Sequence, residues 1–184
     1  MAYAHRRSRC LRPAVAASKV VRSPPAEMTM DFTPEGLAAE GFAGFVTWNE
    51  VSWDEVPSSP GVYVVINDGL DRPEILNRSP AGWFKQRDPT APRTTLEAAW
   101  VEGCTVVYIG KAARLRTRLR QYRDHGQGKP VGHWGGRYIW QLGSSSQLRV
   151  AWKISGEDPR LLEQELLTAF LEQHGQLPFA NLRR

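Results

Sequence analysis

The run Gly61-Val62-Tyr63-Val64-Val65-Ile66 carries no charged side chain, and it follows the turn signal Pro57-Ser58-Ser59-Pro60. A β-branched and aromatic stretch punctuated in that way reads as a buried strand. Two further runs read the same way: Thr105-Val106-Val107-Tyr108-Ile109, closed by Gly110, and Leu148-Arg149-Val150-Ala151-Trp152-Lys153-Ile154. Around them the sequence changes to helical spacing. Pro34 to Glu40 reads as one short helix, followed by an aromatic lead-in from Gly41 through Trp48 and Trp53. Lys111 to Arg123 reads as a second helix. Asp158 at the N-cap and Pro159 at N1 open a last helix that runs to about His174 and stops at Gly175. Strands and helices therefore alternate, and the fold class expected is α/β (α+β).

Residues 67–103 lie between the first two strands and are rich in Pro, Gly, Asp and Arg, with local helix only near Thr95–Trp100. A connection that long inside a compact domain is usually functional or an insertion. At the other end, residues 1–30 hold Arg6, Arg7, Arg9, Arg12, Lys19 and Arg22 against Glu27 alone. This tail reads as disordered. It loosely resembles an organelle transit peptide, but an extended start is favoured, with Met28 or Met30 as the better beginning of the folded unit. The tail carries the whole net charge of +5, since residues 31–184 hold 18 bases and 18 acids. The total charge thus says nothing about the domain.

Cys10 and Cys104 lack the paired spacing of a zinc site or a disulfide framework, which points to a reducing, cytoplasmic setting. No apolar run approaches the roughly 20 residues of a membrane span. The expectation is a globular chain of two leading parts, residues 1–30 and 31–56, and one domain over 57–184.

Charge is clustered rather than abundant. Residues 111–137 hold eight bases against Asp124, a candidate polyanion footprint. With Ala112, Leu115, Leu119 and Tyr122 as the apolar stripe of a helix, Lys111, Arg114 and Arg118 fall along one edge, and Arg116, Arg120 and Arg123 point to solvent. Arg118 sits at the border of the core, where a guanidinium interacts more strongly with phosphate. A solvated basic face is the plain alternative. In the last helix, Glu163 projects beside the stripe of Leu162, Leu166, Ala169 and Phe170, where a carboxylate needs a cation or an ion-pair partner.

These pieces resemble a known pattern. Gly61-Val62-Tyr63 followed by Tyr108-Ile109-Gly110-Lys111-Ala112, then Leu115, Arg118-Leu119 and Tyr122, is similar to the GIY-YIG nuclease superfamily, in particular the excision-repair incision nuclease. Glu163 matches that family's metal-binding glutamate, and Pro178-Phe179-Ala180-Asn181 its closing Pro-x-x-Asn. Two departures stand out: the 45-residue gap from Tyr63 to Tyr108, and extra residues around His174–Leu177.

The resemblance implies a small three-stranded, mainly antiparallel sheet flanked by helices, and a metal-dependent endonuclease acting on nucleic acid, DNA before RNA. It implies that Glu163 holds Mg²⁺ or Mn²⁺, that Arg118 contacts the scissile phosphate, and that Tyr108 and Tyr63 orient or deprotonate the attacking water. A tyrosine pKa near 10 would have to be lowered for that task, with Lys111 placed to help. Gly110, Arg114, Tyr122 and Asn181 would contact or brace the nucleic acid. For Tyr63 and Tyr122, core packing is an equal alternative. In Gly132-His133-Trp134-Gly135-Gly136-Arg137, outside the family motif, His133 and Arg137 read either as phosphate or proton-transfer groups or as parts of a turn that packs the Trp. Trp83-Phe84-Lys85 is equally open, with packing ahead. The runner-up is a nucleic-acid-binding module that no longer cuts. Targeting would come from the insertion, the His133 region or a protein partner.

Overall fold

Strand β2 (Gly61–Ile66) is buried at all six positions, because it is sandwiched between two cores. The computed structural model describes residues 30–69, 71–156 and 158–182. The elements in chain order are α1 (Pro34–Ala39), β1 (Ala43–Thr47), β2, α2 (Arg93–Ala99), β3 (Val106–Ala112), α3 (Leu115–Gly126), β4 (Arg149–Ile154) and α4 (Pro159–His174). Two short 3₁₀ turns, Arg137–Gln141 and Ser145–Gln147, precede β4. The basic tail and Cys10 lie outside the described residues.

The sheet has four strands in the order β1-β4-β2-β3, every neighbouring pair antiparallel. The three expected strands are present, and the fourth corrects the expectation. Ala43–Thr47 reads in sequence as part of an aromatic lead-in, since it lacks a clean alternation. A bulge between Gly44 and Val46 breaks its register with β4. Gly44 and Phe45 stand at φ 100° and 55°, conformations a regular strand does not use. Gly44 is required there, since a Cβ would lie 2.5 Å from the Trp152 ring.

Alternation along β2 divides the interior. Tyr63 and Val65 join Leu115, Leu119 and Tyr122 of α3 under the insertion, whereas Val62, Val64 and Ile66 join Leu166, Leu167 and Phe170 of α4. A second correction follows from β3. It runs on to Ala112, pairing Lys111 with Val62 and Ala112 with Gly61. Lys111 therefore stands on a strand, and α3 begins only at Leu115. The last helix matches its signals: Asp158 accepts from Arg160 N–H at 2.9 Å, and Gly175 ends it at φ 73°.

The insertion is anchored rather than loose. Buried Gln141 accepts from Ala91 N–H at 2.9 Å and donates to the carbonyls of Leu76 and Ala91 at 2.9 and 3.0 Å. Strand β3 would otherwise expose an edge. Asn181 covers it, donating to the Ile109 carbonyl at 2.7 Å and accepting from the Ile109 N–H at 2.9 Å. Ala180 N–H adds a bond to the Val107 carbonyl at 2.8 Å. Asn181→Ala strips both partners from one backbone residue, so a loss of roughly 2 kcal/mol is expected. Urea unfolding of the variant checks this, and an unchanged midpoint would refute the bracing role. No helix among the described residues is long and apolar enough to cross a membrane.

Candidate nucleic-acid cleavage site

Two adjoining clefts open on the same side of the molecule, and Tyr108, Lys111 and Glu163 line both. One, of about 680 Å³, extends toward Arg87, Trp134, Arg137 and Tyr138. The other, of about 580 Å³, extends toward Arg114, Thr117 and Arg118. The shared residues come from β3 and α4, which pack against each other, and Arg118 comes from α3. Residues distant in sequence thus converge on one open groove.

Among the described residues, Glu163 is the only acidic one lining either cleft. Its side chain is 14% exposed and forms an ion pair with Lys111. The carboxylate is thereby satisfied by a lysine reaching across from the strand, not by an arginine. Among the described residues, no group of three or more His, Cys, Asp or Glu is gathered for a metal ion. A single carboxylate facing an open cleft still fits a hard cation that keeps most of its waters.

Arg118 is half-buried, and one guanidinium nitrogen donates to the Gly132 carbonyl at 3.2 Å. The guanidinium lines the smaller cleft and also interacts with the buried Tyr63 hydroxyl behind it. The other arginines of α3 do not point freely to solvent, which corrects the expectation for two of them. Arg116 donates to the carbonyls of Val56 and Asp54 at 2.8 and 3.1 Å, tying α3 to the chain before β2. Arg123 lies 4.6 Å from the centre of the Trp53 ring and Arg120, still exposed, 5.3 Å from it. The bases that remain open thus lie along a groove rather than over a helix face.

Behind the groove stands a buried aromatic cluster. Tyr108 alone reaches the cleft, at 7% exposure. Tyr63 is fully buried, its hydroxyl 2.9 Å from His133 Nε2. The His133 ring stacks on Tyr122 with centroids 3.6 Å apart and planes 1° from parallel. Tyr122, also fully buried, donates to the Gly136 carbonyl at 2.6 Å. Gly110 makes room for the cluster, since a Cβ there would lie 2.8 Å from both the Tyr63 hydroxyl and the Tyr108 ring. Hence Tyr63, Tyr122, His133 and Gly110 support the site from within and line neither cleft, whereas half-buried Asn181 both braces β3 and lines the larger one. Arg114 and Arg137 line the groove as well.

The electrostatics overturn one expectation. Burial raises the pKa of Tyr63 far above its usual value, and burial also raises that of Tyr108, although a hydrogen bond with Tyr63 and the charge of Arg118 act the other way. Neither tyrosine is a tyrosinate at neutral pH. Tyr108 can orient a water and pass a proton, but it is not a free base. Burial, then the Arg118 and His125 charges, hold His133 well below the ordinary imidazole value. It is neutral.

His125 was not anticipated. It is 1% exposed, and burial, then Arg118 and Arg137, lower its pKa too. Nor was Arg87, which the insertion brings into the larger cleft. Only the length of the insertion hinted at it.

Neutral buried histidines link stability to pH. Below about pH 6.5 an unfolded histidine takes up a proton that folded His133 refuses, so folding stability falls as pH drops, by up to about 1.4 kcal/mol per pH unit. His125 acts in the same direction. Denaturant unfolding between pH 7.5 and 5.5 should show this loss, and His133→Phe should shrink it. An equal slope in the variant would contradict the neutral assignment.

Comparison with protein-family models, curated proteins and solved structures gave no match.

Proposed function

We propose that this protein is a metal-dependent endonuclease that hydrolyses phosphodiester bonds in nucleic acid, DNA by preference. The observation that carries the reading is the convergence of Tyr108, Lys111, Arg118 and Glu163 on one open groove. Their spacing in the sequence is that of the GIY-YIG superfamily it resembles, and the groove has the charge and openness that a polymer backbone needs.

Hydrolysis forms a bond from a water oxygen to phosphorus, breaks the bond to the leaving sugar oxygen, and moves a proton from the water to that oxygen. Arg118 supplies a planar fork for the phosphate oxygens as charge develops on them. Tyr108 presents its hydroxyl to the attacking water, held in position by Tyr63 and, through Tyr63, by His133. Lys111 keeps the Glu163 carboxylate in the groove and offers a proton donor near the leaving oxygen. Glu163 is the residue that would hold Mg²⁺ or Mn²⁺, and such an ion, when bound, adds charge neutralisation and activates water. Buried Cys104 is a free thiol, as suits a reducing, cytoplasmic setting.

The second reading is a binding module on the same fold that does not cut. The Lys111–Glu163 ion pair favours it, because the carboxylate already has a cationic partner. Incubating the protein with supercoiled, branched and single-stranded DNA and with RNA, with Mg²⁺ or Mn²⁺, separates the two. Strand scission supports the nuclease. Binding without scission under either metal supports the module.

A further inference from the structure

The larger cleft contains a feature that the reaction at Glu163 does not use. Trp134 is half-exposed in its wall, and two guanidiniums rest against the indole, that of Arg137 at 4.2 Å and that of Arg87 at 5.7 Å from the ring centre. Arg137 also packs on Tyr138 at 4.8 Å. Neither arginine has a carboxylate partner among the described residues, whereas Arg93, Arg123 and Arg149 each do. Arg137 spends one donor on the Trp134 carbonyl at 3.3 Å. Its Nε is buried with no partner among the described groups. Burial also depresses its pKa, the mark of a guanidinium short of solvation.

The chain goes out of its way to deliver Arg87. It closes a two-residue turn, with Phe84 bridged to Arg87 and the Arg87 N–H donating to the Phe84 carbonyl at 3.1 Å. The central residues Lys85 and Gln86 stand at φ 51° and 60°, a left-handed conformation that costs a residue with a side chain. The turn is seated on the His133 loop, where the Phe84 ring fits against Gly132 so closely that a Cβ would lie 3.2 Å from it. Two left-handed residues are what a tight two-residue turn of this kind requires, and its packing on Gly132 holds Arg87 at the rim of the cleft.

We propose that Arg87, Arg137 and the Trp134 indole between them form a second phosphate subsite. It binds the backbone of the same nucleic-acid strand whose neighbouring phosphodiester lies at Arg118 and Glu163. This rests on the nuclease reading of the groove. Two unpaired guanidiniums braced by one indole lose little freedom on binding and match phosphate oxygens. The insertion thereby becomes a strand-holding wall. It gives the groove cationic ends on both sides of Tyr108, with Arg114 and Arg118 at one end and Arg87 and Arg137 at the other.

The test is fluorescence anisotropy of labelled single-stranded and duplex oligonucleotides in EDTA across a series of salt concentrations. Each phosphate contact contributes about 0.7 to 0.9 to the slope of log affinity against log salt. Arg87→Ala, which keeps the backbone bonds of the Phe84 turn at an exposed position, and Arg137→Gln should each flatten the slope by about that amount. Arg120→Ala, beside Trp53 and outside the groove, should leave it unchanged. A strand carrying one uncharged methylphosphonate, moved along position by position, should reach a place where wild-type affinity falls and Arg87→Ala affinity does not. Wild-type slope in both cleft variants, with Arg118→Ala weakened, overturns the subsite and leaves the nuclease reading standing. No binding by the wild-type protein overturns the nucleic-acid reading itself. Inorganic phosphate titrated calorimetrically should bind only weakly, and submillimolar binding lost in Arg137→Gln would mean a free-anion site and overturn the strand assignment.

Discussion

Arg118→Ala is expected to slow strand cleavage by roughly 10²- to 10³-fold, the range seen when one donor to a developing oxyanion is removed. The guanidinium lines the cleft beside Tyr108 and Glu163, where it donates to the Gly132 carbonyl and interacts with the buried Tyr63 hydroxyl. The same charge acts on the tyrosine hydroxyls and on both buried histidines. Its removal should therefore leave the fold intact and lessen the loss of stability toward acid pH, because a positive charge that opposes protonation of His133 has gone. Single-turnover rates beside denaturant unfolding at two pH values separate the effects. Slower cleavage with unchanged stability at pH 7.5 is the expected pair. A variant that cuts at the wild-type rate would remove Arg118 from the chemistry.

Phe170→Ala should have the largest effect on stability, about 3–5 kcal/mol, as for other fully buried phenylalanines. Phe170 lies under α4 against Val62, Val64 and Ile66, with its ring edge-on to Phe32 at 5.0 Å. Glu163 sits seven residues earlier on that helix, two turns away on nearly the same face. The cavity would loosen the helix that carries the carboxylate, so cleavage should fall along with stability. Urea midpoints and rates measured together check this. A loss below about 1 kcal/mol would show that α4 docks mainly by other contacts.

Much of this architecture is legible locally. The buried strands β2, β3 and β4 announce themselves by β-branched runs, and α4 by Asp158, Pro159 and Gly175 at its ends. Strand β1 does not, because a bulge and two left-handed residues erase the alternation that would reveal it. Lys111 and Ala112 continue the spacing of the helix that follows, and only their pairing with Val62 and Gly61 keeps them on a strand. Local pattern cannot carry that information. The site divides in the same way. Arg118 and Glu163 are visible from helical spacing and Tyr108 through the resemblance alone, whereas the Tyr63–His133 contact joins residues 70 apart. Arg87 reaches the groove only because Gln141 pins the insertion and the Phe84 turn seats on Gly132. Burial also reverses a chemical expectation, since it keeps the proton on Tyr108 although the Tyr63 hydrogen bond and the Arg118 charge act the other way.

The most direct test of the central claim is the Mg²⁺ dependence of single-turnover DNA cleavage by the wild-type protein beside Glu163→Gln. The substitution keeps the shape of the side chain and removes the one acidic group that lines the groove among the described residues. The account predicts metal-dependent scission by the wild type, a loss of at least about 10²-fold in the variant, and strand binding retained by both. Equal cleavage by the two proteins, or wild-type cleavage undiminished in EDTA, would contradict it.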